Sequence, residues 1–286
     1  MYNRGFTLIE LIMVITIIAI VAVLVGPIIV APFNMQGDIE KRVLFVNSAD
    51  NALRHMKREI RGAIPNSVRV SSSGTTHVIE FMRASDGGRY RLGGSGDDTA
   101  LFPSGSDDTF QVLGSISAPA AGDRMVVNST SATSLYTNAA SNSGGIITPA
   151  STTFSVSGSE VTLSSAYQFD PSGQGSPRRR FFITDTAVVY HCDETTRNIY
   201  RYAEYTINSS IPTSRSSAPL STAGHTSLLL ENALDCSFVY QSGTPERAAV
   251  LTMALLVGEN IDKNSDGTYD GEQIRLMHQV HIRNAP

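Results

Sequence analysis

The sequence predicts an α+β protein in which one long N-terminal helix packs on a large antiparallel β domain. Two patterns predict the helix. Leu11 to Val25 is apolar except for Thr16, and the stretch that follows places apolar residues at spacings of three and four. A third pattern predicts the sheet. After Pro65 the apolar residues alternate with polar ones in short runs, separated by Gly, Ser, Asn and Asp.

The chain has 286 residues, enough for one large or two small domains. Only 17% are charged, against roughly 25% in soluble domains. Ser, Thr, Gly and Asn fill the gap, as suits a turn-rich extracellular β protein. The formal net charge of −4 supplies no global field to attract nucleic acid, and no such partner is expected.

The first element runs from Phe6 to Val30, about 25 residues and long enough to cross a hydrocarbon core of roughly 30 Å as a helix. A cleaved secretory signal has a shorter apolar core and a small-residue cleavage site. Here the apolar run continues through "GPIIVAPF" into a helical pattern, so the whole run should stay in the mature chain. Gly26-Pro27 and Pro32 should bend or melt the helix between residues 22 and 33.

The second half is amphipathic. Ile39, Val43, Val46, Ala49, Leu53, Met56, Ile60 and Ala63 form one stripe, with Lys41, Arg42, Arg54, Lys57, Arg58 and Arg61 off it as a solvated face. Gly62 and Pro65 end the helix. The stripe is expected to pack on the chain that follows. The resulting division is a leader at 1–5, a membrane and assembly helix at 6–33, an amphipathic helix half at 34–64 and a β-rich domain at 65–286.

Glu10 is the anomaly. A lone carboxylate in a membrane helix costs a few kcal/mol or more and usually has a partner. Arg4 precedes it, and no Lys, Arg or His follows until Lys41. Cutting the chain after Gly5 would supply the missing charge, because the freed amine of Phe6 lies one turn from Glu10 and within reach of a neighbouring subunit's Glu10.

"RGFTLIEL" resembles the signal of type IV pilins and pseudopilins, with a short basic leader, Gly5, Phe6 and a glutamate five residues into the mature chain. Pro27 also matches a proline of many pilins. The resemblance implies a pilin-like fold, cleavage between Gly5 and Phe6 by a prepilin peptidase, N-methylation of Phe6, and assembly roles for Phe6, Glu10 and Pro27. "ALRHMKREIRGAIPNSVRV", "RRRFFITDTAVVYHCD", "CSFVY" and "LMHQVHIRNAP" resemble one subgroup, the minor pilins of the mannose-sensitive haemagglutinin (MSHA) pilus. The stretch from about residue 85 to 160 matches that subgroup only loosely. The implied partners are other major and minor pilins, the peptidase, the inner-membrane assembly platform and, before assembly, the membrane itself. The implied location is single-pass inner membrane with a periplasmic domain, then an extracellular pilus. The same resemblance fits a minor pseudopilin of a type II secretion system or a calcium-stabilised tip adhesin.

In the β domain, "SVRVSSS" and "THVIEFMRA" read as a hairpin around Ser73-Gly74. The Gly/Asp/Ser-rich stretch from Ser85 to Asp108 reads as a long surface loop or arm. "TFQVLGSI", "DRMVVNST", "TTFSVSGSEVTLSS", "RRFFITDTAVVYHC" and "NIYRYAEYTI" read as strands. "TSLLLENALDC" fits a short helix or a buried strand. "CSFVYQSG" and "AAVLTMALLVGE" should pair across "GTPER", and "QIRLMHQVHIRN" closes the domain. Cys192 and Cys236 sit in strand-like contexts. In an oxidising compartment they form one disulfide, worth roughly 4 kcal/mol by loop-closure entropy; the alternative is two buried thiols.

The sharpest candidate site is "DKNSDGTYDGEQ". Asp262, Asn264, Asp266 and Asp270, with the Thr268 carbonyl, fall at the oxygen-bearing positions of an EF-hand-like calcium loop, and Gly267 at its glycine. Gln273 stands where that loop needs a bidentate glutamate, and no helices flank it, so a turn between two strands competes with calcium. No cofactor is required by the sequence, and calcium is the one candidate ligand. His278 and His281 lie three apart on a strand, hence on opposite faces. Arg178, Arg179 and Arg180 at a strand entrance read as solvated. "GGSG" at 93–96 lacks the following helix of a phosphate loop. No nucleophile–base set is signalled, and a membrane-tethered hydrolase has no motif behind it. The sequence therefore points to a structural subunit, not an enzyme.

Overall fold

The computed structural model describes residues 7–93, 96–97, 99–103, 105–142, 145–169, 175–243, 247–259 and 271–282, apart from the side chains of 26–36 and 38. Helix α1 spans Leu8–Ile60, 53 residues and so about 80 Å at 1.5 Å per residue. It passes through residues 26–33 as one continuous helix, which corrects the expected melting there. Proline in a helix interior forfeits one hydrogen bond and crowds the preceding turn, which kinks a helix without having to end it.

Twelve strands follow: β1 Arg69–Ser73, β2 Thr76–Tyr90, β3 Asp107–Leu113, β4 Arg124–Val127, β5 Phe154–Ser157, β6 Glu160–Tyr167, β7 Arg180–Asp193, β8 Asn198–Ala203, β9 His225–Glu231, β10 Ala233–Gln241, β11 Ala249–Gly258 and β12 Gln273–Ile282. A second helix, α2, spans Ala132–Ser141. The main sheet runs β5-β6-β3-β2-β7-β8-β9, with β1 added on β2 and β4 on β7, and the second sheet runs β10-β11-β12. Every strand pairing is antiparallel. Both hairpins expected at Ser73-Gly74 and across "GTPER" form, with Ser73 opposite Thr76 and Gln241 opposite Val250.

The pleat of the two central strands sorts their side chains between two cores. Ile79 and Phe81 of β2, with Val188, Tyr190 and Cys192 of β7, face a core shared with α1 and the second sheet. Val78 and Met82, with Ala187 and Val189, face the opposite core, which α2 covers through Leu135, Tyr136 and Ala139. A third core at the far end holds Tyr90, Phe110, Phe154, Val161 and Phe181.

Two elements depart from the sequence reading. β2 continues through Ser85–Tyr90, where a loop was expected, and pairs with β7 as far as Arg89 opposite Arg180. Two glycines permit that continuation. A Cβ on Gly87 would lie 2.8 Å from the Phe181 carbonyl oxygen, and one on Gly88 would lie 2.8 Å from Val112 and 2.9 Å from the Phe181 ring. Here glycine marks close strand approach, not a turn. Helix α2 was not expected at all. "TSLLLENALDC", which fitted a helix or a strand, is strand: it forms most of β9 and the start of β10.

Candidate functional site

The amphipathic stripe is buried only in its second half. Ala49, Ala52, Leu53, Met56 and Ile60 are all buried among the residues of β2, β7, β11 and β12. Burial of each large apolar side chain is worth about 1.5–3 kcal/mol. Ile39 and Val43, which were expected to pack on the domain, are 55% and 51% exposed. Here α1 lies along the ends of β11 and β12, which leave both side chains about half in solvent.

The N-terminal half is barer still. Leu8–Val25 has a mean hydropathy of 3.1 over 18 residues, and none of it is buried. The helix is capped by Thr7, whose Oγ1 accepts from the Glu10 backbone N–H at 3.4 Å. Glu10 stands three residues after that cap, in the first turn. Thr7-x-x-Glu10 is therefore the residue pattern of a capping box, and the helix dipole favours an acid at this end. The sequence reading missed this signal, although Thr-x-x-Glu before an apolar run was there to see. Among the described residues, no side chain pairs with the Glu10 carboxylate.

Polar contacts fix where α1 sits on the domain. Lys41 reaches Glu259 at 2.7 Å and Arg42 reaches Glu272 at 3.6 Å, tying the helix to the ends of β11 and the approach to β12. His278 of β12 meets Asp50 at 3.3 Å. The basic residues expected on a solvated face include three that reach a carboxylate while staying exposed: Lys41, Arg42 and, within the helix, Arg54, which donates to Asp50 at 2.5 Å. At the last turn, Glu59 accepts from Arg201 of β8 through Nε at 2.9 Å and Nη2 at 2.5 Å, and from the Tyr190 hydroxyl of β7. Arg83 of β2 lies 3.8 Å away. Burial works to raise the Glu59 carboxyl, but the Arg201 fork and the Tyr190 hydroxyl outweigh it and hold the carboxyl below its ordinary value. Because Tyr190 donates to Glu59, its oxygen must accept from His55 Nδ1 at 3.1 Å, which places a proton on that nitrogen.

A second buried pair lies across the sheet. Glu80 accepts from Arg69 Nε at 2.7 Å and from the Tyr205 hydroxyl at 2.7 Å. Arg69 also stacks 3.5 Å over the Tyr136 ring and donates to the carbonyls of Asn208, Ser209 and Ser210. Here burial wins over the Arg69 charge, and the Glu80 carboxyl is pushed up. The pair fastens the loop after β8 and helix α2 to the central strands. Neither buried network was foreseen, because partners 11 to 142 residues apart leave no local pattern.

Cys192 of β7 and Cys236 of β10 are joined as a disulfide, with Cα atoms 6.5 Å apart, so it links the main sheet to the second sheet. His278 is half-buried and His281 exposed, on opposite faces of β12. Arg178 and Arg179 are exposed. Gly5, Phe6 and the loop residues Asp262, Asn264, Asp266, Thr268 and Asp270 lie outside the described residues, and Pro27 lies within α1. Among the described residues, no group of three His, Cys, Asp or Glu side chains is arranged to hold a metal.

Residues 1–26 match the prokaryotic N-terminal methylation motif. No curated protein and no solved structure is significantly similar to the chain. The motif, the bare apolar helix behind it and the antiparallel domain on its second half support a type IV pilin or pseudopilin. Proteins with this motif are structural subunits that are processed by a prepilin peptidase and assemble with other pilins.

Proposed function

We propose that the chain is a minor pilin of an MSHA-type type IV pilus, most like the subunit MshO. It is cleaved between Gly5 and Phe6, methylated on Phe6, and held in the inner membrane by α1 with its domain in the periplasm. It then enters the filament at or near the tip, where it helps to initiate assembly and to present a surface for attachment. The observation that carries the pilin part of this reading is the methylation motif at 1–26 joined to an 18-residue, predominantly apolar stretch with no cover of its own. Only lipid or the helices of other subunits can cover such a segment in water. Within that apolar layer, the Phe6 amine and Glu10 set the register between subunits, since a charged pair in oil specifies geometry more reliably than it adds stability.

The segment at 262–270 is the proposed calcium site, with Asp262, Asn264, Asp266, Asp270 and the Thr268 carbonyl as its oxygen ligands. Isothermal titration with calcium should give saturable heat that Asp262→Ala and Asp266→Ala abolish; no heat at millimolar calcium removes the site. For the role itself, a deletion strain should lose pilus-dependent surface attachment. Loss of enzyme secretion with attachment intact would instead make the protein a minor pseudopilin of a type II secretion system.

A further inference from the structure

Where the last turns of α1 meet the main sheet, a cleft of about 430 Å³ opens, lined by His55, Arg58, Glu59, Arg83 and Arg201, with His225 and Ser227 from β9. We propose that this cleft binds an oxyanion, a phosphate or carboxylate group. Three guanidinium groups line it against one carboxylate. That carboxylate is already engaged, since Glu59 accepts both arms of Arg201 and the Tyr190 hydroxyl. Asp185 holds the outer edge of Arg83 through Nε at 3.2 Å and through Nη2, leaving the Arg83 Nη1 side towards Glu59 at 3.8 Å. Arg58 has no ion pair or hydrogen bond among the described residues, and it is exposed beside the opening.

The cleft therefore has an excess of at least one positive charge even with Asp185 counted, and two imidazoles on its wall. Positive charge gathered in a concave, partly desolvated site focuses the field on an incoming anion. Guanidinium forks match the two oxygens of a carboxylate or phosphate. The ion pairs beneath occupy the Nε/Nη2 edges of Arg201 and Arg83 and fix both guanidinium planes, so the Nη1 group of each and the whole fork of Arg58 are left for an incoming oxyanion, and little freedom of the two paired side chains is lost on binding.

The oxyanion has two sources, a soluble phosphate-bearing molecule or an acidic side chain of an adjoining subunit; the second rests on the filament role proposed above. The test titrates the full processed protein in detergent micelles with inorganic phosphate, at ionic strength held constant with chloride. Saturable one-site heat is expected. Arg58→Gln should weaken it about tenfold or more, the size of a lost charged hydrogen bond. Lys57→Gln, a basic neighbour outside the cleft, should leave it unchanged. Absence of saturable heat, or equal weakening by both substitutions, overturns the site. Repeating the titration on assembled filaments separates the sources. Phosphate bound by the free protein but not by the filament assigns the site to a neighbour's acid, and binding in both assigns it to a soluble ligand. The micelle titration reads the same whether or not filaments form, so its failure is distinct from failure of the pilin reading.

Discussion

At the scale of single residues, three carboxylates illustrate how surroundings decide a charge. Glu10 has the helix dipole and the Thr7 cap near its backbone, but no cation among the described residues. The dipole is worth about 0.3–1 kcal/mol at an exposed site, less than the few kcal/mol that an acid costs in a membrane helix. The cap therefore offsets only part of that cost, and in the proposed processing the amine freed at Phe6 would supply the rest. Glu10→Gln should leave the protein made and cleaved yet poorly incorporated into filaments; immunoblots of sheared pili showing normal incorporation would refute the pairing. Glu59 and Glu80 respond to pH with opposite signs. The Glu59 carboxyl is held below its ordinary 4.5, so its contribution is present above that value and lost as pH falls through the lower folded value. The Glu80 carboxyl is raised, so its contribution is complete below 4.5 and declines as pH rises through the higher folded value. Glu59→Gln should therefore flatten the loss of thermal stability below about pH 4.5. An unchanged acid limb in a pH series of melting curves would show that the Arg201 pair does not link helix to sheet energetically.

At the scale of elements, α1 divides into three parts by what covers it. Leu8–Val25 is bare, Ile39 and Val43 are about half exposed, and Ala49, Ala52, Leu53, Met56 and Ile60 are buried. Stability and assembly should separate along this line. Met56→Ala removes a fully buried side chain from the shared core and should cost about 2–5 kcal/mol. Val43→Ser should leave unfolding within about 0.5 kcal/mol of the parent while reducing incorporation. Chemical denaturation of both variants checks the pair, and a large loss for Val43→Ser would mean that this residue is covered by its own chain after all. The helix was legible because its two periodicities are local and long. The stripe's extent was not, because spacing shows which face is apolar but not where the supporting sheet ends. The β2 extension was hidden by Ser85, Asp86, Gly87 and Gly88, a composition that usually marks turns and here allows Phe181 to approach. Helix α2 left a faint trace. Ser131 caps its start and Asn142 ends it in the left-handed region at φ 53°, while Arg124 from β4 donates to the Ala139 carbonyl at 3.1 Å. Ten residues with no charge in either end turn gave too little periodic signal to outweigh their Ser, Thr and Asn.

For the whole molecule, two sheets and a helix meet at one core, and the Cys192–Cys236 bond crosses between the sheets at that meeting. The bond closes 44 residues of sequence, a constraint worth roughly 4 kcal/mol in the chain-entropy account. The Cys192→Ala, Cys236→Ala double variant should lose about that much stability; a loss under about 1 kcal/mol would show that the core alone holds the sheets together. The candidate assembly residues were legible because processing motifs are read by a peptidase as short linear sequence. The cationic cleft was not, since α1, β2, β8 and β9 contribute to it from positions 55 to 227. The central claim is that this subunit becomes functional only once proteolysis creates a positive amine beside Glu10. Intact-mass and N-terminal peptide analysis of the protein recovered from native pili tests it most directly. The account predicts a chain that begins at Phe6 and carries one added methyl group, and a chain that still begins at Met1 in functional pili would contradict it.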